Sequence, residues 1–148
     1  MKSDRGFTLV EVIISIAVLS ILCVIFLQLF VKASDISDSA HELDQSVTLT
    51  NSTLEIVKSV GAIDEIQNSK YFNDFEMIIT PDGIELSKTY NETFKYDSED
   101  KIYQMIISLT QKEEIVNSAI KLYDVNCEVV KVEDQSILYQ ASSNVILE

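Results

Sequence analysis

Residues 6–31 read GFTLVEVIISIAVLSILCVIFLQLFV. From Phe7 to Val31 the only polar side chains are Thr8, Glu11, Ser15, Ser20 and Gln28. As a helix rising ~1.5 Å per residue the run covers roughly 37 Å, more than the ~30 Å hydrocarbon core of a bilayer. It is long enough to span a membrane. A secretory signal peptide would have a shorter apolar core followed by small residues at a cleavage site, and Gln28 to Ser34 offers no such site. The small residue, Gly6, instead precedes the run, directly after the cationic Lys2 and Arg5.

Neither Gly nor Pro occurs from Phe7 to Val60, so a single helix is expected to continue past the apolar half, with Gly61 as its C-terminal stop. In its second half Ile36, Ala40, Leu43, Val47, Thr50, Leu54 and Val57 alternate spacings of four and three. They form an apolar stripe opposite Asp35, Asp38, Glu42, Asp44 and Lys58. The spacing fits docking on the protein's own sheet, with a coiled coil as the alternative. After a connector through Asp64 to Lys70 the period changes to two. Phe75, Met77 and Ile79 form one row, and Pro81-Asp82-Gly83 turns the chain into Ile84 to Tyr90, which predicts a β-hairpin. Tyr103, Met105, Ile107 and Leu109 make the next inward row, followed by strands over Ile120 to Val132 and Ile137 to Leu147. The six Tyr are expected to pack in these strands rather than bind a ligand. Helix first and strands afterwards imply an α+β fold, a long N-terminal helix packed on a small antiparallel sheet. The predicted organisation is a leader at 1–6, a membrane helix at 7–31, its amphipathic continuation at 32–61 and a β-rich exported domain at 62–148.

The net charge is −13, and loss of residues 1–6 would make it more negative by one. An acidic exported domain argues against direct nucleic-acid binding, which needs a basic footprint. Lys2 and Arg5 lie before the apolar run and Asp35 and Asp38 soon after it, so the N-terminus is expected on the cytoplasmic side. An intrachain disulfide would have to join Cys23, inside the apolar helix, to the distant Cys127.

No catalytic constellation stands out. His41 is the lone histidine and lies among polar helix residues, where a surface position is expected; pairing it with Cys127 has no local signature. Glu113-Glu114 and the turn Asp97 to Asp100 lack the liganding spacing of a cation loop, so no metal or cofactor is expected. Asn51-Ser-Thr53 and Asn91-Glu-Thr93 match a glycosylation acceptor by three residues alone.

Arg5-Gly6-Phe7-Thr8-Leu9-Val10-Glu11, followed by an uninterrupted apolar helix, resembles the class III signal of type IV pilins and pseudopilins. The resemblance implies that a prepilin peptidase cuts between Gly6 and Phe7 and that the new Phe7 amine is methylated. It places the family's assembly Glu at Glu11. An acid inside a spanning helix costs on the order of 3 kcal/mol, so it calls for a partner. Near a helix start, the free backbone N–H groups and the Phe7 ammonium of the same or an adjacent subunit supply one. Thr8, Glu11 and Ser15 share one helix face, where small hydroxyl residues permit close helix approach in lipid. The implied function is structural and not enzymatic: a minor pilin assembled through its N-terminal helix, before assembly a single-pass protein of the cytoplasmic membrane. Its implied partners are the prepilin peptidase, other pilin or pseudopilin subunits and a membrane assembly platform. The alternatives are a pseudopilin of a type II secretion or DNA-uptake system, or a membrane-anchored binding module that never polymerises.

Overall fold

The computed structural model describes residues 8–96, 99–112 and 121–147. The leader at 1–6, Phe7, Glu113-Glu114, Ile120 and half of the Asp97 to Asp100 turn lie outside them. Helix α1 runs from Leu9 to Ser59, 51 residues without a Gly or Pro to break it. The chain divides into two compact units at His41/Glu42, inside this helix. In the first unit every described residue, Thr8 to His41, is exposed. Among the described residues α1 is the one helix long and apolar enough to cross a membrane.

The second unit begins with the remaining turns of α1, followed by the short helix α2 (Ile63–Asn68) within the expected connector. Gly61 is not in the left-handed region, so α1 does not end on a left-handed glycine cap. Five strands follow: β1 (Glu76–Thr80), β2 (Gly83–Tyr90), β3 (Tyr103–Gln111), β4 (Lys121–Lys131) and β5 (Ile137–Leu147). They pair antiparallel in sequence order, each with its neighbour. The period of two decides which side packs. Tyr103, Met105, Ile107 and Leu109 of β3, with Tyr123, Val125, Cys127 and Val129 of β4, are buried and face the helix. Leu54, Val57, Ile66 and Leu86 belong to the same core, with Phe72, Ile84, Tyr90, Val145 and Leu147. Gly83 pairs with Thr80 where the first hairpin closes, and a Cβ there would sit 1.8 Å from the Leu109 carbonyl oxygen. Only Gly permits that approach.

The sheet-facing side of α1 keeps Thr50, Leu54 and Val57 of the expected stripe and departs from it nearer the N-terminus. Ile36 and Leu43 are 69% and 46% exposed, Ala40 is exposed, and the buried positions are Ser46, Thr50, Thr53, Leu54 and Val57. Packing begins only in the second unit, and small hydroxyl side chains let the helix approach the strands closely, as where Thr53 Oγ1 lies 3.6 Å from Met105 Sδ. On β1, Ile79 was expected to face inward but is 75% exposed at the edge of the sheet, although Ile84 opposite it is buried. Tyr90, Tyr103 and Tyr123 pack inside, while Tyr71 and Tyr96 are exposed.

Candidate functional site

The N-terminal segment is built from the helix start. The Thr8 carbonyl accepts from the N–H groups of Glu11, at 3.0 Å, and Val12, at 3.2 Å. Thr8 Oγ1 accepts from Glu11 N–H at 3.4 Å, a long bond. Thr8 therefore stands at the N-cap with Glu11 three residues on, the spacing of a capping box. The T-x-x-E pattern is the signal in the sequence for this cap, which the reading of Thr8 and Glu11 as members of one helix face does not include. It places the Glu11 carboxylate, exposed, in the first turn of α1, at the positive end of the helix dipole.

The two serines of the apolar run are satisfied internally. Ser15 Oγ donates to the Glu11 carbonyl and Ser20 Oγ to the Ile16 carbonyl, each at 2.8 Å. Such back-bonding hides the hydroxyls from lipid without an external partner. Glu11 has no side-chain partner among the described residues, so its charge is available to one. Gly6 and Phe7, the expected processing pair, lie outside the described residues.

Two polar clusters in the second unit were not foreseen. Glu42, expected on the wet face of the helix, accepts from Tyr103 Oη at 2.9 Å and from Lys131 Nζ at 2.8 Å. Lys131 and the Tyr103 hydroxyl hold the carboxyl below its ordinary value. Burial and Glu42 push the Tyr103 hydroxyl up to about 12, and the Phe94 ring stacks on Tyr103 with centroids 4.2 Å apart. The second cluster surrounds Lys88. Its ammonium lies 3.3 Å from Asp74 and over the rings of Tyr96 and Phe75 at 4.8 and 5.3 Å. The Glu42 cluster joins elements far apart in sequence and the Lys88 cluster joins β2 to its flanking segments; both are closed by their own partners, which marks them as fastenings of the fold.

The residues weighed for chemistry are placed apart from any reaction geometry. His41 is exposed and Cys23 lies exposed on α1. Cys127 is fully buried in β4, where burial pushes its thiol up to about 12, far from a nucleophilic thiolate. Asn51 sits within α1 with Thr53 buried beside Met105. Asn91 Oδ1 accepts from the Thr93 N–H and hydroxyl and from the Lys95 N–H, in a turn. Among the described residues no three His, Cys, Asp or Glu side chains converge on a metal position.

The family described as a prokaryotic N-terminal methylation motif matches residues 1–27. No curated protein and no solved structure matches the chain. The N-terminus is thus a type IV pilin-like class III signal, that of a pilin-like or pseudopilin-like precursor, and it opens a long helix followed by an antiparallel sheet.

Proposed function

We propose that this chain is a minor subunit of a type IV pilus-like filament, held before assembly in the cytoplasmic membrane as a single-pass precursor with its N-terminus inside. A prepilin peptidase cuts between Gly6 and Phe7, and the freed Phe7 amine is methylated. Glu11 is the assembly charge. If the Phe7 amine of one subunit pairs with Glu11 of its neighbour, parallel helices are offset by four residues, about 6 Å along the axis. A membrane assembly platform moves the apolar helices from lipid into a shared bundle, and a repeated head-to-tail contact that does not close propagates the fibre. The acidic net charge favours a sparse subunit among less acidic pilins, while complementarity at a particular contact outweighs net charge.

The observation that carries this reading is the methylation motif at residues 1–27, running without a break into a helix whose first turn holds Glu11. Co-expression with a prepilin peptidase, followed by mass analysis of the N-terminus, tests it. The expected product begins at methylated Phe7. An intact Met1 to Gly6 leader, under conditions in which a control prepilin is cut, overturns it. Glu11→Ala is expected to leave cleavage in place and abolish incorporation into filaments, whereas a non-polymerising anchored module would tolerate it.

A further inference from the structure

Among the described residues the sheet ends on β5, which pairs with β4 on one side. An open edge is a row of unpaired backbone donors and acceptors, which proteins ordinarily protect with charge, Pro, short length or a bulge. The opposite edge, β1, has such protection: it is five residues long, begins with Glu76 and runs into Pro81. On β5 the irregularity is confined to the start, where Val129 pairs with Tyr139 and Val130 with Ile137, leaving Leu138 unmatched. From Tyr139 to Leu147 the strand is regular and contains no charged residue, Pro or Gly. In a chain of net charge −13, this long edge is neutral.

We propose that β5 pairs antiparallel with β5 of a second copy of this chain, about a two-fold axis at Ser142, joining the two sheets into one. The strand is nearly palindromic in chemical kind about that residue. Tyr139 comes opposite Val145, Gln140 opposite Asn144 and Ala141 opposite Ser143. These are aromatic against β-branched, amide against amide and small against small, the kinds of cross-strand pair that stabilise a ladder. The faces also agree. Gln140, Ser142 and Asn144 are exposed on the outer side, and Tyr139, Ala141, Ser143 and Val145 share the side of the core. A copy's β1 fits less well, since it would cover half of β5 and bring Glu76 into the ladder.

The geometry also fixes polarity. A two-fold axis between antiparallel edge strands stands perpendicular to the sheet. The Glu42–Ser59 segments of α1, packed on one face, therefore run in opposite directions in the two copies. The contact joins copies of opposite polarity and is not the neighbour contact of a parallel bundle. It is independent of leader cleavage and of Glu11.

The test uses the full-length chain in detergent with Cys23→Ala, which leaves buried Cys127 as the native thiol. Directly opposed residues of an antiparallel pair have Cα atoms about 4.5–5.5 Å apart, within the span of a disulfide. Ser142→Cys is expected to give a disulfide-linked dimer under mild oxidation, and Ile78→Cys, exposed on β1, is expected to stay monomeric. Equal cross-linking at both positions, or none at Ser142→Cys, overturns the proposal. Ser142→Lys sets like charges against each other at the axis and should weaken dimerisation at least tenfold by sedimentation, with an unchanged circular dichroism spectrum. A dimer as tight as that of the wild type would also overturn it.

Discussion

Glu42 ties three elements together with one side chain. Its carboxylate sits on α1 and takes a proton donor from β3, Tyr103, and a cation from β4, Lys131. Because the folded state holds Glu42 below its ordinary value of 4.5, the carboxylate's contribution is fully present above that pH. It is lost as pH falls through the depressed value. Glu42→Gln should therefore lower the melting temperature at pH 7, and the gap to wild type should close on acidification below 4.5. The Glu42 and Lys131 side chains are 26% and 34% exposed, so solvent screens the pair. A double-mutant cycle with Lys131→Met is expected to give a coupling of about 1 kcal/mol. A pH-independent gap would show that the salt bridge adds nothing. No local pattern announced this cluster. Read along the helix, Glu42 belongs with Asp38 and Asp44 on the wet side, and its partners are 61 and 89 positions away in the chain.

At the scale of the element, the central strands were legible, and the helix face only in its last turns. Every second residue is apolar from Tyr103 to Leu109 on β3 and from Tyr123 to Val129 on β4, and a period of two has only two faces to choose between. On α1 the buried row keeps Thr50, Leu54 and Val57 of the expected stripe and adds Ser46 and Thr53, which an apolar-stripe reading scores as polar, while Ile36 and Leu43 stand exposed. Helix length was legible because nothing in the sequence interrupts it, and the processing signal was legible because it is local. The hydroxyl row costs stability at one point. Thr50 is fully buried, and its Oγ1 has no hydrogen-bond partner among the described residues. Thr50→Val keeps the shape and removes that unsatisfied group, so it should raise stability by about 1 kcal/mol in denaturant titration, without change in slope. A loss of stability would mean that the hydroxyl is satisfied in solution. Ser46, whose Oγ donates to the Glu42 carbonyl at 2.8 Å, should not respond in this way.

The whole molecule combines two kinds of solvent requirement. Leu9 to Val31 exposes a largely apolar surface that water does not tolerate, whereas the core around Met105, Ile107 and Val125 is closed within the second unit. The second unit should therefore fold without the first. A fragment of residues 42–148 keeps Glu42 with both its partners and the whole buried row of α1. It is expected to be soluble without detergent and to unfold in a single cooperative transition. At ~0.7 kcal/mol per residue near 60 °C, its unfolding enthalpy should be about 75 kcal/mol. A fragment of residues 55–148 loses Ser46, Thr50, Thr53 and Leu54 from the sheet surface. That uncovers Met105 and its neighbours, so the shorter fragment should aggregate or melt without a cooperative transition. Equal calorimetric profiles for the two would place the stabilising contacts in the sheet alone and leave α1 as a tether from the membrane, not a half of the core.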